Sequence, residues 1–441
     1  MPQQTLVDAA NLLKDLFDSG AVKEQLHNVT NCFNWFKTKQ LTGREASARN
    51  FIWAVEQQRT GGTRWSADAA NTSAALPQPE RPRVQQARVL PKWIYKRVEA
   101  SGQTMRLSQS NEGAFASELT YSMKAAVKDI TKQLNFTCFG DGSGTVARIN
   151  DAAIDATVAV AAAGGDYRAE VTDYEYGTRY VSLGSNYAAA TAVYGGTVRA
   201  GTGIPTAKSA DDNATPVLTF DALPAGWADN DFIGLEGSYD AAVAGPDGSN
   251  VMQGLQSIVD DDGDGQLVTT VHNINRATAG NEFWRSYVNT NAGVDRALTL
   301  GLMGIVYDRV SETGDGTPPK KIVMHKAVRR QYQALLSPDI RFAPLQLRGG
   351  FQKLTFAYGD EEIPIETDDD CTYGTIYFLN PDTFRMLVWH PLKWADEDGL
   401  TLRQVQDEDS WEAWMVMALQ IACFRPNGNG VLRDITFSLT A

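Results

Sequence analysis

The chain has 441 residues, of which 43% are hydrophobic, 10% aromatic and 21% charged. That composition supports a buried core and two or three structural units, and it excludes a largely disordered polymer. Lys and Arg number 40 against 53 Asp and Glu, a net charge of −13, which excludes a dedicated nucleic-acid binder held by phosphate neutralisation.

No apolar run approaches ~18 residues, so no membrane span is expected. Residues 1–8 lack the cationic start and apolar stretch of a secretory signal, and the Asn28-Val29-Thr30 sequon is then a chance match. Cys32, Cys138, Cys371 and Cys423 are far apart in sequence with no Cys-x-x-Cys spacing. Neither a disulfide framework nor a zinc site is expected, and a reducing cytoplasm fits.

In chain order, Leu12, Leu13, Leu16 and Phe17 predict a short amphipathic helix ending near Gly20. Val22, Leu26, Val29, Phe33 and Phe36 follow at helical spacings and form a stripe that needs cover from the rest of the chain or from a neighbour. Residues 50–56 and 88–98 read as two long strands, joined by an irregular tip with Gly61-Gly62 and prolines at 77, 79 and 82. Ten strand residues reach roughly 33 Å, and an isolated hairpin is marginal in water. This hairpin is therefore expected to lie against another subunit; an ordinary sheet edge with a long loop is the alternative. Residues 37–106 carry thirteen Lys or Arg against five acids. Either a basic arm lies on an acidic surface, or the charges form a solvated face.

Residues 112–135 give the strongest helical pattern, with Phe115, Leu119, Met123, Val127, Ile130 and Leu134 on one stripe and Asn111 placed as the cap. The rod ends in Gly140-Asp141-Gly142-Ser143-Gly144, a turn. Short β-like runs at 156–160, 179–183, 216–220 and 232–235 alternate with turn residues. Between 151 and 264 eighteen acids face four bases. This segment reads as an acidic, all-β insertion, or else as a loop-rich part of a larger domain. Beyond Arg285 the pattern is mixed: helices at 294–310 (Leu298, Leu302, Ile305, Val310 inward) and 326–336, and strands at 321–324, 375–379, 384–388, 411–424 and 431–439. The run 411–424 is apolar on both faces, as in a central strand.

Three stretches suggest chemistry. Asp260-Asp261-Asp262-Gly263-Asp264-Gly265 supplies the early oxygen ligands and the glycine of a calcium loop, but Val271 stands where the bidentate glutamate belongs. An acidic hairpin turn is the stronger reading. Asp368-Asp369-Asp370 sits where a turn should join two strands. The glycine-rich run 140–144 follows a helix instead of opening one, unlike a phosphate loop. His27, His272, His325 and His390 have no paired metal spacing and no adjacent nucleophile motif. No catalytic, cofactor-binding or metal residue is assigned, no cofactor is expected, and the chain is read as a non-enzyme.

The order of parts resembles a tailed-bacteriophage major capsid protein of the Hong Kong 97-type fold. The residues that carry the likeness are Met105-Arg106-Leu107-Ser108 leading into Asn111 to Phe115 and the 140–144 turn, and Gly254-Leu255-Gln256-Ser257-Ile258-Val259 with Asn275-Arg276 and Trp284-Arg285. Residues 321–332, Ile376 to Asn380 and Trp394 to Gly399 complete it. The resemblance implies an α+β chain with an N-terminal arm (1–42), an extended β-hairpin loop (43–107), a spine helix of a peripheral domain (108–150) and the β-rich insertion (151–253). An axial domain with its connections (254–375) and C-terminal peripheral strands (376–441) follow. It also implies a homo-oligomer of pentamers and hexamers closing an icosahedral shell around double-stranded DNA, without sequence-specific contact and without a membrane. A portal protein, a separate scaffolding protein and a cement or decoration protein are the implied partners; the implied place is the virion capsid, assembled in the host cytoplasm. Two rivals stay open here: an encapsulin-like compartment, and a phage tail or receptor-binding protein.

Overall fold

The computed structural model describes residues 32–41, 50–58, 61, 63, 81–103, 112–142, 144–151, 157–161, 178–183, 201–209, 217–221, 226–238, 250–261, 270–314, 316–336, 354–358, 361–396 and 401–437. The leading helices, the hairpin tip, Met105 to Asn111 and the acids Asp262 and Asp264 lie outside these, as do the side chains of Phe115 and Leu119.

The 28-residue helix Glu112–Phe139 is the spine of the molecule. Ala126, Ile130, Leu134, Cys138 and Phe139 are buried on its inner side, whereas Val127 is exposed. The helix runs four residues past the expected end because Cys138 and Phe139 continue the apolar stripe. Under it lies a five-stranded sheet in which Ser410–Cys423 is central, flanked by Phe384–Trp394 and by Lys92–Ser101. Lys37–Gln40 adds in parallel to Phe384–Trp394, which itself extends beyond the expected 384–388. Met415, Met417, Leu419 and Ile421 join the spine-side core, while Ala422 faces the other side, so the central strand is covered twice.

A six-stranded mixed sheet stands beside it, ordered Tyr287–Asn289, Gly430–Leu432, Ile376–Leu379, Lys321–Met324, Glu361–Thr367, Thr355–Tyr358. Alternate residues point to opposite cores. Ile322, Met324, Ile376 and Phe378 meet the helices Leu300–Thr313 and Lys326–Leu336, and Val323, Tyr377 and Leu379 face the spine-side core. The first of these helices begins six residues later than expected, where the Thr299 side chain accepts from the Leu302 N–H. Its inward face is Met303, Val306 and Val310, and Ile305 points out. The strand expected over 431–439 stops at Leu432, since Arg433 turns into the core and Asp434 takes a positive φ of 58°. The C-terminal segment thus feeds both sheets.

The insertion forms a seven-stranded sheet ordered Thr202–Gly203, Tyr180–Ser182, Phe232–Leu235, Thr145–Ile149, Thr157–Ala161, Val217–Phe220, Pro205–Lys208. Every pairing in it is antiparallel. Its two outermost strands are separated by Ile204 alone, so the sheet curls until its ends meet. It begins at Thr145, ahead of the expected boundary at 151, and encloses its own core of Val146, Ile149, Leu218, Phe220, Trp227 and Ile233. Gly142 (φ +90°) and Gly144 (φ +74°) make the turn into it. A Cβ on Gly144 would come within 2.5 Å of Ser238.

Candidate functional site: the hairpin and the joints that hold it

The hairpin pairs Phe51–Gln58 with Arg83–Val89, from Phe51 opposite Val89 to Gln58 opposite Arg83. The return strand does not run on to Val98 as expected. It breaks at Leu90-Pro91, where proline offers no N–H, and resumes as Lys92–Ser101 in the five-stranded sheet. Exposure alternates strictly along Phe51–Gln58. The inner face docks on this chain itself: Trp53 meets Phe424 at 5.0 Å and His272 at 5.5 Å between ring centroids, and Ala87 joins Ile274 and Trp284 in a small core. Gln57 donates to the Gly280 carbonyl at 3.0 Å, Gln85 to Asn281 Oδ1 at 2.8 Å, and the Arg88 N–H to the His272 carbonyl at 2.8 Å. The expectation that another subunit carries the hairpin is corrected for this face, because its inward residues Phe51, Trp53 and Val55 find a platform within the same chain. The outer face is different: Ile52 is 51% exposed and Val84 58%.

Beneath the hairpin, His272 and Asn273 both take positive φ (51° and 68°) in the two-residue turn between Thr270–Val271 and Ile274–Asn275. His272 Nε2 accepts the Cys423 N–H at 3.1 Å. Burial, then the nearby Arg276 charge, hold this imidazole down at about 3, so it is neutral. Arg276 is fully buried and donates to the carbonyls of Asp260, Ser257 and Ile258 at 2.8, 2.9 and 2.7 Å. It thereby satisfies the end of the short buried helix Leu255–Ile258. Arg285 in turn donates to the Arg276 carbonyl at 3.0 and 2.7 Å, and Trp284 Nε1 to Val271 at 3.1 Å. The residue pairs 275–276 and 284–285 are thus structural clamps.

The residue in the first-ligand position of the calcium-loop pattern is turned into the core. Asp260 is 1% exposed and its carboxylate faces Arg433 at 3.3 Å. Burial pushes its pKa up to about 7, with Arg433 and Arg276 pulling it back. Among the described residues no three His, Cys, Asp or Glu side chains are grouped to hold a metal.

The second acidic cluster is also a joint. Asp368 is buried and accepts from the Cys32 N–H at 3.1 Å, from Asn135 Nδ2 at 3.1 Å and from the Asp370 N–H at 2.9 Å. Asn135 Nδ2 also donates to Asp370, and its oxygen accepts the Cys32 N–H at 2.9 Å. Burial pushes the Asp368 carboxyl up. Lys326 pairs with Asp369 at 2.6 Å. All four cysteines are buried and none is in a disulfide. Cys32, Cys138 and Cys371, distant in sequence, gather around this joint, and burial holds the Cys32 thiol well above its usual range, with a hydrogen bond to Cys138 adding to it. Sequence patterns gave no sign of this gathering, since only folding brings the three elements together. His325 Nδ1 accepts the Ala327 N–H at 3.2 Å, and His390 lies 6.1 Å from Trp93.

Three cations of the basic segment are answered within the chain: Lys37 meets Asp382 at 2.6 Å, Lys96 meets Asp129 at 3.0 Å, and Arg97 meets Glu412 at 2.7 Å. Among the described residues no helix is long and apolar enough to cross a membrane.

No protein-family model matches the sequence, and no curated protein matches it. Solved structures do. A chain of the cyanophage A-1(L) capsid asymmetric unit aligns with a TM-score of 0.52 at 12% identity, over 96% of this chain and 99% of that one. The capsid of an empty GTA particle aligns over 95% and 94% at 10% identity, TM-score 0.48. The holo-SrpI encapsulin complex of Synechococcus elongatus PCC 7942 aligns over 97% and 98% at 9% identity, TM-score 0.41. An α+β, strand-rich chain with few helices, matched end to end by a phage capsid chain, has the fold of the tailed-phage major capsid proteins.

Proposed function

We propose that this chain is a major capsid protein, a structural subunit without enzymatic activity that self-assembles through pentamers and hexamers into an icosahedral shell around packaged double-stranded DNA. The carrying observation is a capsid-type fold over 96% of the chain combined with a hairpin whose outer face leaves Ile52 and Val84 more than half exposed. Apolar surface on a projecting element calls for a partner, and a contact between unlike faces of identical subunits closes into rings. In this reading the arm ahead of Lys37 and the hairpin loop between Phe51 and Val89 lap neighbours, while Lys37–Gln40 and Lys92–Ser101 stay in the chain's own sheet. The spine helix and the five-stranded sheet of Phe384–Trp394 and Ser410–Cys423 build the peripheral domain. The six-stranded sheet, with Ile376–Leu379 and Gly430–Leu432 returning into it, builds the axial one. The insertion (151–253) stands on the outer face or around a capsomer boundary, where its acidic charge is kept from DNA.

A portal protein, a separate scaffold and a cement protein complete the particle, which forms in the host cytoplasm and ends as the virion capsid. Negative-stain microscopy of the expressed, purified chain tests this. Closed shells of uniform size are expected. Monodisperse monomers, fibres or trimers overturn it, and shells that hold protein cargo and no DNA in the producing cell replace it with a cargo compartment.

A further inference from the structure

Among the described residues, the ten-residue strand Lys92–Ser101 is paired on one edge only, with Ser410–Cys423. Long edges of this kind are ordinarily blunted by charges projecting across them. Here the cations fold down onto their own chain instead: Lys96 onto Asp129 at 3.0 Å, and Arg97 onto Glu412 and Glu99 at 2.7 and 3.1 Å. What projects is aromatic. Trp93 is 48% and Tyr95 64% exposed, their rings stacked at 6.4 Å with an interplanar angle of 14°. Arg97 lies next on the same face, its side chain 53% exposed despite its ion pairs.

We infer that this edge is a twofold interface on which residues 93–97 of one copy pair antiparallel with the same residues of a second copy. The chemistry of the strand selects the partner and the register. Two copies related by an axis normal to the sheet keep the same face outward, so opposite residues must both be odd or both be even in number. Centring on Ile94 sets Lys92 against the partner's Lys96; centring on Lys96 or on Arg97 sets a cation against itself. Like charges directly opposite are destabilising. Centring on Tyr95 avoids this. Centring on Trp93 or on Val98 also avoids it, but the first sets Tyr95 against Pro91 and the second sets Trp93 against Gln103, both outside the strand. Of the three, only centring on Tyr95 keeps all three outward residues within the paired strands: Tyr95 meets its own copy, Trp93 meets Arg97 in both directions, and Ile94 meets Lys96. Arg over Trp is the most favourable side-chain cation–π pair, and two such pairs flanking a tyrosine stack make the face self-complementary, as an isologous contact demands.

This inference does not depend on the shell reading; it requires only two copies of the chain. The test is a single cysteine at the dyad. Directly opposite residues in an antiparallel pair have Cα atoms about 4.5–5.5 Å apart, within the range a disulfide spans. Full-length Tyr95→Cys, oxidised with copper-phenanthroline, should give a dimer on a denaturing gel that reverts on reduction. The unsubstituted chain, its cysteines buried, is the blank. Trp93→Cys alone and Arg97→Cys alone should stay uncrosslinked, and their equimolar mixture should crosslink. Adding Trp93→Ala to Tyr95→Cys should slow crosslinking at least tenfold. No dimer from Tyr95→Cys, or equal yields from Trp93→Cys alone, overturns the pairing; shells seen by microscopy without this crosslink would remove the edge contact and leave the shell reading standing.

Discussion

The Cys423 N–H donates to Nε2 of His272 over 3.1 Å, and the carbonyl of the same histidine accepts from Arg88 of the hairpin. The last residue of the central strand and the foot of the hairpin therefore hang on one residue, the strand on its imidazole and the hairpin on its backbone carbonyl. That imidazole must stay neutral to accept.

The pH dependence follows. The folded-state value near 3 lies below the ordinary 6.5, so the unfolded chain binds the proton first. The stability this neutral histidine contributes is present above pH 6.5 and is lost as pH falls towards 3. Between pH 7 and 5 the loss from this group is about 2 kcal/mol. Denaturant unfolding at both pH values should show this slope in the native chain and a flatter one in His272→Gln, which keeps an acceptor and cannot titrate. Equal slopes refute the assignment.

Asp260 works in the opposite sense. With its carboxyl raised from 3.8 to about 7, its contribution to stability falls as pH climbs through that window. Removing it does not help. Asp260→Asn leaves Arg433 and Arg276 buried without their counter-charge, and breaking such a pair costs about 3–5 kcal/mol. Urea unfolding at pH 7 measures the loss. Millimolar calcium should leave the melting temperature of the native chain unchanged, because this carboxylate is turned to Arg433.

Asn135 bridges the spine helix, the segment at Cys32 and the Asp368 turn. Asn135→Leu keeps the volume, takes a donor from the Asp368 and Asp370 carboxylates and removes one of two acceptors from the Cys32 N–H, losses worth about 1–3 kcal/mol together. Unfolding should become easier by that sum, and limited proteolysis should cut near residue 32 sooner than in the native chain.

Gly254 sits against the last carbonyls of the spine helix. A Cβ there would lie 2.4 Å from the Thr137 oxygen and 2.5 Å from that of Cys138. Gly254→Ala is expected to destabilise by about 2 kcal/mol or more. Gly301→Ala, whose nearest neighbour would be 3.9 Å away, should be neutral or stabilising by up to about 1 kcal/mol.

No lysine occurs between residues 43 and 91, so the hairpin loop has no amine with which to weld subunits. Boiled, reduced particles should run on a denaturing gel as one band at the chain's own mass; covalent ladders contradict this.

Much of the architecture was legible where periodicity was strong and long. The spine helix, the doubly covered strand Ser410–Cys423 and the helix Lys326–Leu336 follow directly from residue spacing. The misses have common causes. Val127 and Ile305 are apolar but face outward, because spacing marks a stripe and not which residues of it reach the core. Pro91 split a run of β-formers that looked continuous. The polar joints were the least readable part. Asn135, Arg276 and Arg433 look like ordinary surface residues in the sequence. Their partners are remote in the chain: Asp368 for Asn135 and Asp260 for Arg433.

Gly142 and Gln253 nearly touch: a Cβ on the glycine would stand 3.1 Å from the Gln253 Cα. The chain leaves the main body and re-enters it at almost one point, and the barrel between those points keeps a core of its own. Val181, Leu183 and Phe232 of the inserted sheet nevertheless reach into the spine-side core, so that a foreign module with neighbouring termini could be grafted here only if it supplied apolar cover in their place.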